Sequence, residues 1–350
     1  MTGTPTSTPT PKPRLRTWSA FGDIKKRPSE YEIVTHATNW TLRSGRKAPL
    51  EGNPSSPGNL WLTTYRDKSP LQVEDWDGFR DPDSCTYRSY VEQQDEQESQ
   101  IGGLLEQYAS ADADAAHSPQ WRHALSQVFT PSRYPVHGAQ QIQAYIGYMA
   151  PSSYITNAAV LAAADMLRRV TQVSYRTREL QLADPEGGFA TGERRVWEES
   201  PAWQPTRKAT ELALIAYDWA EAFTALNLVL LPTLDDVLLR QLSEVARDNG
   251  DELTWLLGSY LGKDSERRAR WSGALARYAI TQRPGNAGVL QKWIDKWSPR
   301  ADAAAAGLGT LLQSLPEHGR SAAAVAEQAR DARVRFLSGL GLASPGPVAG

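Results

Sequence analysis

The chain has 350 residues, of which 40% are hydrophobic and 22% charged, a globular composition long enough to bury one large core or two ordinary ones. Basic and acidic residues nearly balance, 38 against 40, which argues against a dedicated nucleic-acid binder. The single cysteine, Cys85, excludes an intrachain disulfide and a multi-cysteine zinc site. Any metal would have to come from His36, His117, His123, His137, His318 and the carboxylates.

Residues 1–13 read MTGTPTSTPTPKP, a Thr/Pro-rich tail without the apolar core of a signal peptide. Residues 14–80 form a second region. Nine of the 23 prolines precede residue 80, and helical periodicity is missing there. Trp18, Phe21, Tyr31, Trp40, Trp61, Tyr65, Trp76 and Phe79 nevertheless crowd this stretch. So many aromatics need a surface, so residues 14–80 read as an extended arm that packs on its own helices or on a partner. Glu32 to Thr35 reads as a short strand.

From residue 81 to 338 the pattern is helical. Helices are expected over Tyr87–Tyr108, over Pro119–Ala150 with breaks or kinks at Pro131 and Pro135, and over Ser152–Ala183. Pro205–Leu231 is the most apolar helix, and Pro232 is expected to stop it, with Thr233 and Asp236 capping the next. Leu234–Leu261, Asp264–Thr281 and Asn286–Trp297 follow. Ser298-Pro299 then opens Arg300–Leu315, and Ser321–Leu337 is the last. Residues 339–350 read as a flexible tail. Leu212–Leu231 is broken by Asp218, Glu221 and Asn227, so no membrane span is expected and the default compartment is the cytoplasm. Long helices with short connections predict an all-α bundle.

The catalytic motifs are weak. Gly258-Ser-Tyr-Leu-Gly262-Lys263-Asp264 has one residue too few for a phosphate loop and Asp where Ser or Thr should hold magnesium. It reads as a helix–helix turn. Gly339-Leu-Gly341 neither follows a strand nor precedes a helix. Cys85 lies near Asp81 and Asp83, which raise a thiol's pKa, so it reads as structural. A ferritin-type di-iron centre takes Glu-x-x-His from two helices. Only His117 has an acid three residues earlier, Asp114, and that pair lies in an Ala/Asp stretch read as surface linker. Glu92, Asp95, Glu96 and Glu98 read as a solvated face. Asp218 and Glu221 read as buried acids paired with Arg176 or Arg178, against a smaller case for a metal or proton site. Glu266-Arg-Arg268-Ala-Arg270-Trp271 reads as a solvated helix face or a protein contact.

Several stretches together resemble a known family. They are Arg27-Pro-Ser-Glu-Tyr-Glu-Ile-Val34; Phe79-Arg-Asp-Pro-Asp83 with Tyr87-Arg88 and Gln94-Asp-Glu-Gln-Glu98; and Tyr175-Arg-Thr-Arg-Glu-Leu180. Val196-Trp-Glu-Glu-Ser-Pro-Ala-Trp-Gln204, the segment from Ala216 to Asn227, Arg270-Trp-Ser272 and Val289-Leu-Gln-Lys-Trp293 continue the series. The chain resembles the beta subunit of the hydroxylase component of bacterial multicomponent monooxygenases, nearest the four-component toluene, alkene and isoprene branch. The resemblance covers roughly residues 14–335. It implies a ferritin-like helical bundle lacking metal ligands, in an assembly of two alpha, two beta and two gamma subunits. The di-iron site then belongs to the alpha subunit. A Rieske 2Fe-2S ferredoxin, a reductase using FAD and NADH, and an effector protein complete the system, which inserts one oxygen atom of O₂ into a hydrocarbon. No catalytic, cofactor-binding or metal residue is expected in this chain. The competing readings are a self-contained helical scaffold or adaptor, and a ferritin-type di-iron enzyme with unrecognised ligands. An excess of Arg over Lys, 29 to 9, fits a large obligate interface.

Overall fold

The computed structural model describes residues 27–38, 55–317 and 320–345; among these, every regular element is helical. Local signals open most helices. In α1 (Glu30–Thr35) the Ser29 hydroxyl accepts the Glu32 N–H at 3.2 Å and the Glu32 carboxylate accepts the Ser29 N–H at 3.0 Å. That reciprocal pair caps a helix, so the strand expected over Glu32 to Thr35 is not formed. The helix α2 (Pro57–Leu62) runs on into a π turn at Thr63–Asp67. Thr86 caps α3 (Tyr87–Ser110), and Ser118 caps α4 (Pro119–Gln127) with proline at its first position. Pro131 sits in the 3₁₀ turn Thr130–Ser132 that separates α4 from α5 (Arg133–Met149), and Pro135 falls harmlessly in the first turn of α5. Ser152 caps α6 (Ser153–Ala183). The short helices α7 (Glu193–Glu199) and α8 (Gln204–Leu214) lead into the centre of the molecule.

That centre is α9, a continuous helix over Trp219–Asp248. It is long and apolar enough to cross a membrane by length and composition alone, but 89% of its apolar window is buried inside this chain. Here the proline expectation fails. The helix breaks earlier, at residues 215–218, and runs through Pro232. Two π segments, Thr224–Leu230 and Asp236–Gln241, flank the proline. Their wider turns make room for the pyrrolidine ring, and burial on all sides keeps the helix intact. Thr233 is no cap; its hydroxyl donates to the Val229 carbonyl at 3.1 Å.

Gly250, at φ +77°, turns the chain from α9 into α10 (Glu252–Gln282). The expected boundary near Leu261 is therefore absent. Gly258 to Asp264 lies within α10, not in a turn. Gly258 faces α9 so closely that a Cβ there would stand 1.8 Å from the Ser243 hydroxyl. Its glycine serves helix packing. Pro299 likewise lies inside a single helix, α11 (Asn286–Gln313), whose Ala301, Ala304, Ala305, Leu308 and Leu312 are all buried. Ser321 caps α12 (Ala322–Ser338). The segment expected to be a flexible tail packs at least to residue 344: Leu340 and Leu342 are buried, Gln291 donates to the Ala343 carbonyl at 2.8 Å, and Arg333 donates to the Ser344 hydroxyl at 3.2 Å.

The described part of residues 14–80 lies on the chain's own helices. Tyr31 packs on Tyr154 of α6 with ring centroids 5.6 Å apart. Trp76 meets Trp219 of α9 edge-on at 5.3 Å, and Phe79 meets Tyr278 of α10 at 5.9 Å. The tail over 1–13 and the aromatics Trp18, Phe21 and Trp40 lie outside the described residues.

Candidate functional site: a buried array of carboxylates and arginines

Four helices, α3, α6, α9 and α10, bring charge into the interior. Two of them carry the same pentad, Asp165-Met-Leu-Arg168-Arg169 on α6 and Asp264-Ser-Glu-Arg267-Arg268 on α10. Spacing of i and i+3 puts each Asp and the first Arg on one helix face. The two pentads pair reciprocally. Arg267 donates to Asp165, and Arg168 donates to Asp264. Gln94 of α3 lies between them, 3.0 Å from Asp264 Oδ1 and 3.4 Å from Asp165 Oδ1. The second arginine of each pentad turns to α9. Asp235 accepts Arg169 Nη1 at 2.8 Å and Arg268 Nη2 at 3.2 Å, and it also accepts the Ser265 hydroxyl. Arg268 donates further to the Asn227 carbonyl at 3.1 Å, and Asn227 donates to Gln143 of α5 at 2.9 Å. Glu98 of α3 closes the array through Arg168 and Gln172.

The array pairs the carboxylates of Asp165, Asp235, Asp264 and Glu98 with the guanidiniums of Arg168, Arg169, Arg267 and Arg268, so it is electrically closed once every carboxyl is ionised. Burial pushes the Asp165 carboxyl up to about 7, with the charge of Arg267 pulling it back. Burial lowers the pKa of Arg268, with Asp235 opposing. Such buried pairs contribute little net stability, yet losing one partner strands a charge in the interior.

This arrangement corrects the solvated reading of Glu266 to Trp271. Arg267, Arg268 and Trp271 are buried; Glu266 is exposed, and of the three arginines only Arg270 is at the surface, where it pairs with Asp83 at 3.0 Å. The signal was present in the sequence as the repeated Asp-x-x-Arg-Arg pentad.

The other singled-out residues have local partners. Asp218 is not inside a helix. It is the N-cap of α9 and accepts the Ala220 and Glu221 N–H groups at 2.9 and 3.1 Å and the Ser69 hydroxyl at 2.9 Å. Burial raises its pKa, with the Glu221 N–H and the Ser69 hydroxyl lowering it. Glu221 pairs with Lys296 at 2.5 Å and accepts the Trp297 indole N–H at 3.0 Å. Neither acid meets Arg176 or Arg178. Arg176 is buried and binds Asp114 and Glu179. The presumed surface linker is thus pinned down: His117 lies 3.7 Å from Asp114 and 3.8 Å from Asp251, whose other oxygen accepts the Trp121 indole N–H at 3.0 Å. Glu92, Asp95, Glu96 and Glu98 are all exposed, as expected of a solvated face, and Glu98 pairs with Arg168 at the edge of the array. Cys85 is buried, and burial pushes its thiol up.

A di-iron centre does not fit these residues. Where a ferritin-type metal helix carries His at i+3, α6 and α10 carry Arg, which has no lone pair to offer a metal. The carboxylates that would have to bind metal are already occupied by guanidiniums. Among the described residues, no group of three or more His, Cys, Asp or Glu side chains is placed to hold a metal ion.

Fold and array together define a helical bundle whose interior charges are satisfied by its own arginines. A family model described as methane/phenol/alkene hydroxylase matches residues 61–283. The hydroxylase component subunit beta of the toluene-4-monooxygenase system of Ectopseudomonas mendocina is 41% identical over 303 residues, 87% of this chain and 92% of that one. A solved structure of toluene 4-monooxygenase, with toluene bound in its resting active site, superposes with a TM-score of 0.81 at 39% identity. It covers 89% of this chain and 100% of that one. Two oxygenase components of the phenol 2-monooxygenase of Pseudomonas sp. (strain CF600) match as well. DmpL is 24% identical over 79% of this chain and 81% of its own length; DmpN is 25% identical over 68% of this chain and 47% of its own. The chain belongs to the methane/phenol/alkene hydroxylase family, among its beta, or small, hydroxylase subunits.

Proposed function

We propose that this chain is the non-catalytic, structural beta subunit of a di-iron hydrocarbon monooxygenase. The observation that carries the reading is the array: the helices that would carry metal ligands carry arginines paired to the carboxylates. No catalytic, cofactor-binding or metal-binding residue is assigned to this chain. The di-iron centre belongs to a longer alpha subunit homologous to this one. That both DmpL and DmpN resemble this chain supports a pairing of homologous short and long chains within one enzyme. A gamma subunit completes an assembly of two copies of each. Electrons from NADH arrive through an FAD reductase and a Rieske ferredoxin, and an effector protein docks transiently. The substrate is a small hydrocarbon, and the similarity to a toluene monooxygenase subunit favours an aromatic or alkene. The buried lone thiol of Cys85 fits a cytoplasmic enzyme.

Native mass spectrometry with metal analysis, on the complex purified through this chain from its own host, tests the reading. The expected result is a hexamer with two copies of this chain, and iron that follows the larger partner. Iron bound to this chain alone, or a lone monomer, overturns it.

A further inference from the structure

Of the four helices that meet in the array, α3 is held least by the apolar core. It spans 24 residues, yet only Tyr90, Gln94, Ile101 and Leu105 are buried. None of the four belongs to the main hydrophobic cluster. Tyr90 packs with Cys85 and Leu161 at one end, and Ile101 and Leu105 pack with Leu253 and Leu257 at the other. Between these two small patches the one buried side chain is Gln94. Its amide nitrogen lies 3.0 Å from Asp264 and 3.4 Å from Asp165, so a single amide serves two carboxylates. Its other polar atom, Oε1, is buried and has no hydrogen-bond partner.

The charges beneath α3 do not balance locally. Asp165, Asp264 and Glu98 face Arg168 and Arg267, three carboxylates to two guanidiniums. The compensating positive charge lies on the far side, where Arg169 and Arg268 share Asp235 of α9. Asp165 is the deepest of the three, 2% exposed. From α3 the Tyr90 hydroxyl bonds to it, and Arg267 lies against the Tyr90 ring at 4.9 Å. The buried Cys85 thiol is within electrostatic reach. Burial holds the Asp165 carboxyl up at about 7, above its ordinary 3.8, with Arg267 pulling it back. Lifting α3 would hydrate Asp165 and favour its charged form, so docking of this helix is linked to a proton.

We infer that α3 is a strap whose docking is controlled by one proton on Asp165. With the proton off, Gln94 Nε2 donates toward both carboxylates, and three negative charges crowd two arginines. With the proton on, the surplus charge is gone. Asp165 then has an O–H to donate, and a small rotation of the Gln94 amide lets Oε1 accept it while Nε2 stays with Asp264. The docked strap therefore binds a proton that the lifted strap releases. Docking is firm at acidic pH, weakens by up to about tenfold per unit as pH rises toward 7, and levels off above that value. A helix fastened by two small apolar patches opens without unfolding the main core, so the proton acts on α3 before it acts on the whole chain.

Hydrogen exchange read by mass spectrometry, on the full chain in the assembly purified from its own host, tests this between pH 5.5 and 7.5. Protection is corrected for the intrinsic pH dependence of exchange and compared between α3 and α12. In the wild type α3 is expected to be at least about tenfold less protected than α12, and to lose about a further tenfold from pH 5.5 to 7.5. Asp165→Asn keeps the shape and a donor N–H without the charge. It should hold α3 protection at the wild-type acidic value throughout. If Asp165→Asn does not fold, Gln94→Ala serves instead: by letting water reach Asp165 it should bring α3 protection at pH 5.5 down to the wild-type value at pH 7.5. Equal protection of α3 and α12 overturns the inference, as does α3 protection that ignores pH. The same pH dependence in Asp165→Asn as in the wild type also overturns it, and would point to His117 beyond the end of α3, 3.7 Å from Asp114.

Discussion

Where α6 passes α10 the interior is ionic; where α11 meets α12 it is alanine and leucine. In the first region each arginine has a particular carboxylate: Arg267 for Asp165, Arg168 for Asp264, Arg169 and Arg268 for Asp235. In the second, Ala304, Ala305 and Leu308 face Val325, Ala326 and Ala329, and a Cβ on Gly309 would stand 2.5 Å from the Ala322 carbonyl. One buried ion pair, Arg333 with Asp302, enters there, and Arg333 also donates to Thr233 at 3.0 Å. The difference is one of information rather than strength. Apolar faces gain by burial whatever their partner. A buried charge accepts only its counterpart, so the ionic region fixes helix register while adding little net stability.

Removing one ion should therefore produce the largest effect of any single substitution considered. Asp165→Ala is expected to lower the stability of the assembled protein by about 3–5 kcal/mol, because Arg267 loses its partner in the interior. The double variant Asp165→Leu with Arg267→Met should recover most of that loss. Urea unfolding of the wild type, Asp165→Leu, Arg267→Met and the double variant measures the coupling. Recovery of less than half of the single loss would mean that the pair contributes stability outright, and the contrast drawn above would collapse.

Truncation in the apolar region comes next. Leu308 is fully buried, and Leu308→Ala should cost about 3 kcal/mol through lost burial and the cavity left behind. No second substitution should rescue it in the way that Arg267→Met rescues Asp165. A rescue by charge removal elsewhere would show that the two regions are not energetically separate.

The pH dependence sharpens the same comparison and, over the pH 5 to 7.5 range in which it is read, is expected to be smaller than either truncation. Folded Asp165 titrates at about 7 against an ordinary value of 3.8. Between those values the folded chain holds a proton that the unfolded chain has released. Stability then falls as pH rises through this window and levels off above it. Asp165→Asn should flatten the change in urea midpoint between pH 5 and 7.5, whereas Leu308→Ala should lower the midpoint equally at every pH. An unchanged slope in Asp165→Asn would assign the pH dependence to another group.

Most helices were legible because caps and periodicity are local. Ser118, Ser152 and Ser321 each start the helix expected of them. Prolines misled where burial overrides local cost. Pro232 lies between buried Leu231 and Thr233, and exposed Pro299 follows buried Trp297 and Ser298, so packing of the rest of each helix holds a backbone that an isolated peptide would break. The array was hidden for a related reason. Arg267 and Arg268 look like solvated cations until Asp165 and Asp235, about 100 and 30 residues away in sequence, are brought beside them. Only the repeated pentad marks them, and a single repeat of five residues is easily passed over.

The smallest effect concerns Asp218, where the sequence offered a buried acid three residues from another. Its geometry is that of a cap: one oxygen accepts the Ala220 and Glu221 N–H groups and the Ser69 hydroxyl. Asp218→Ala should cost about 1–2 kcal/mol, since two backbone donors at the start of α9 and one hydroxyl lose their acceptor. Asp218→Asn keeps an acceptor oxygen in the same place and should cost only a fraction of that. The pair of variants separates cap from chemistry. A cap needs an oxygen, which asparagine supplies, whereas a proton carrier or a metal ligand needs an ionisable carboxylate, which it does not. Thermal unfolding and hydrocarbon turnover of the assembled hydroxylase, measured on both variants, decide between them. If Asp218→Asn leaves stability intact but abolishes turnover, the break between α8 and α9 carries more than a helix start.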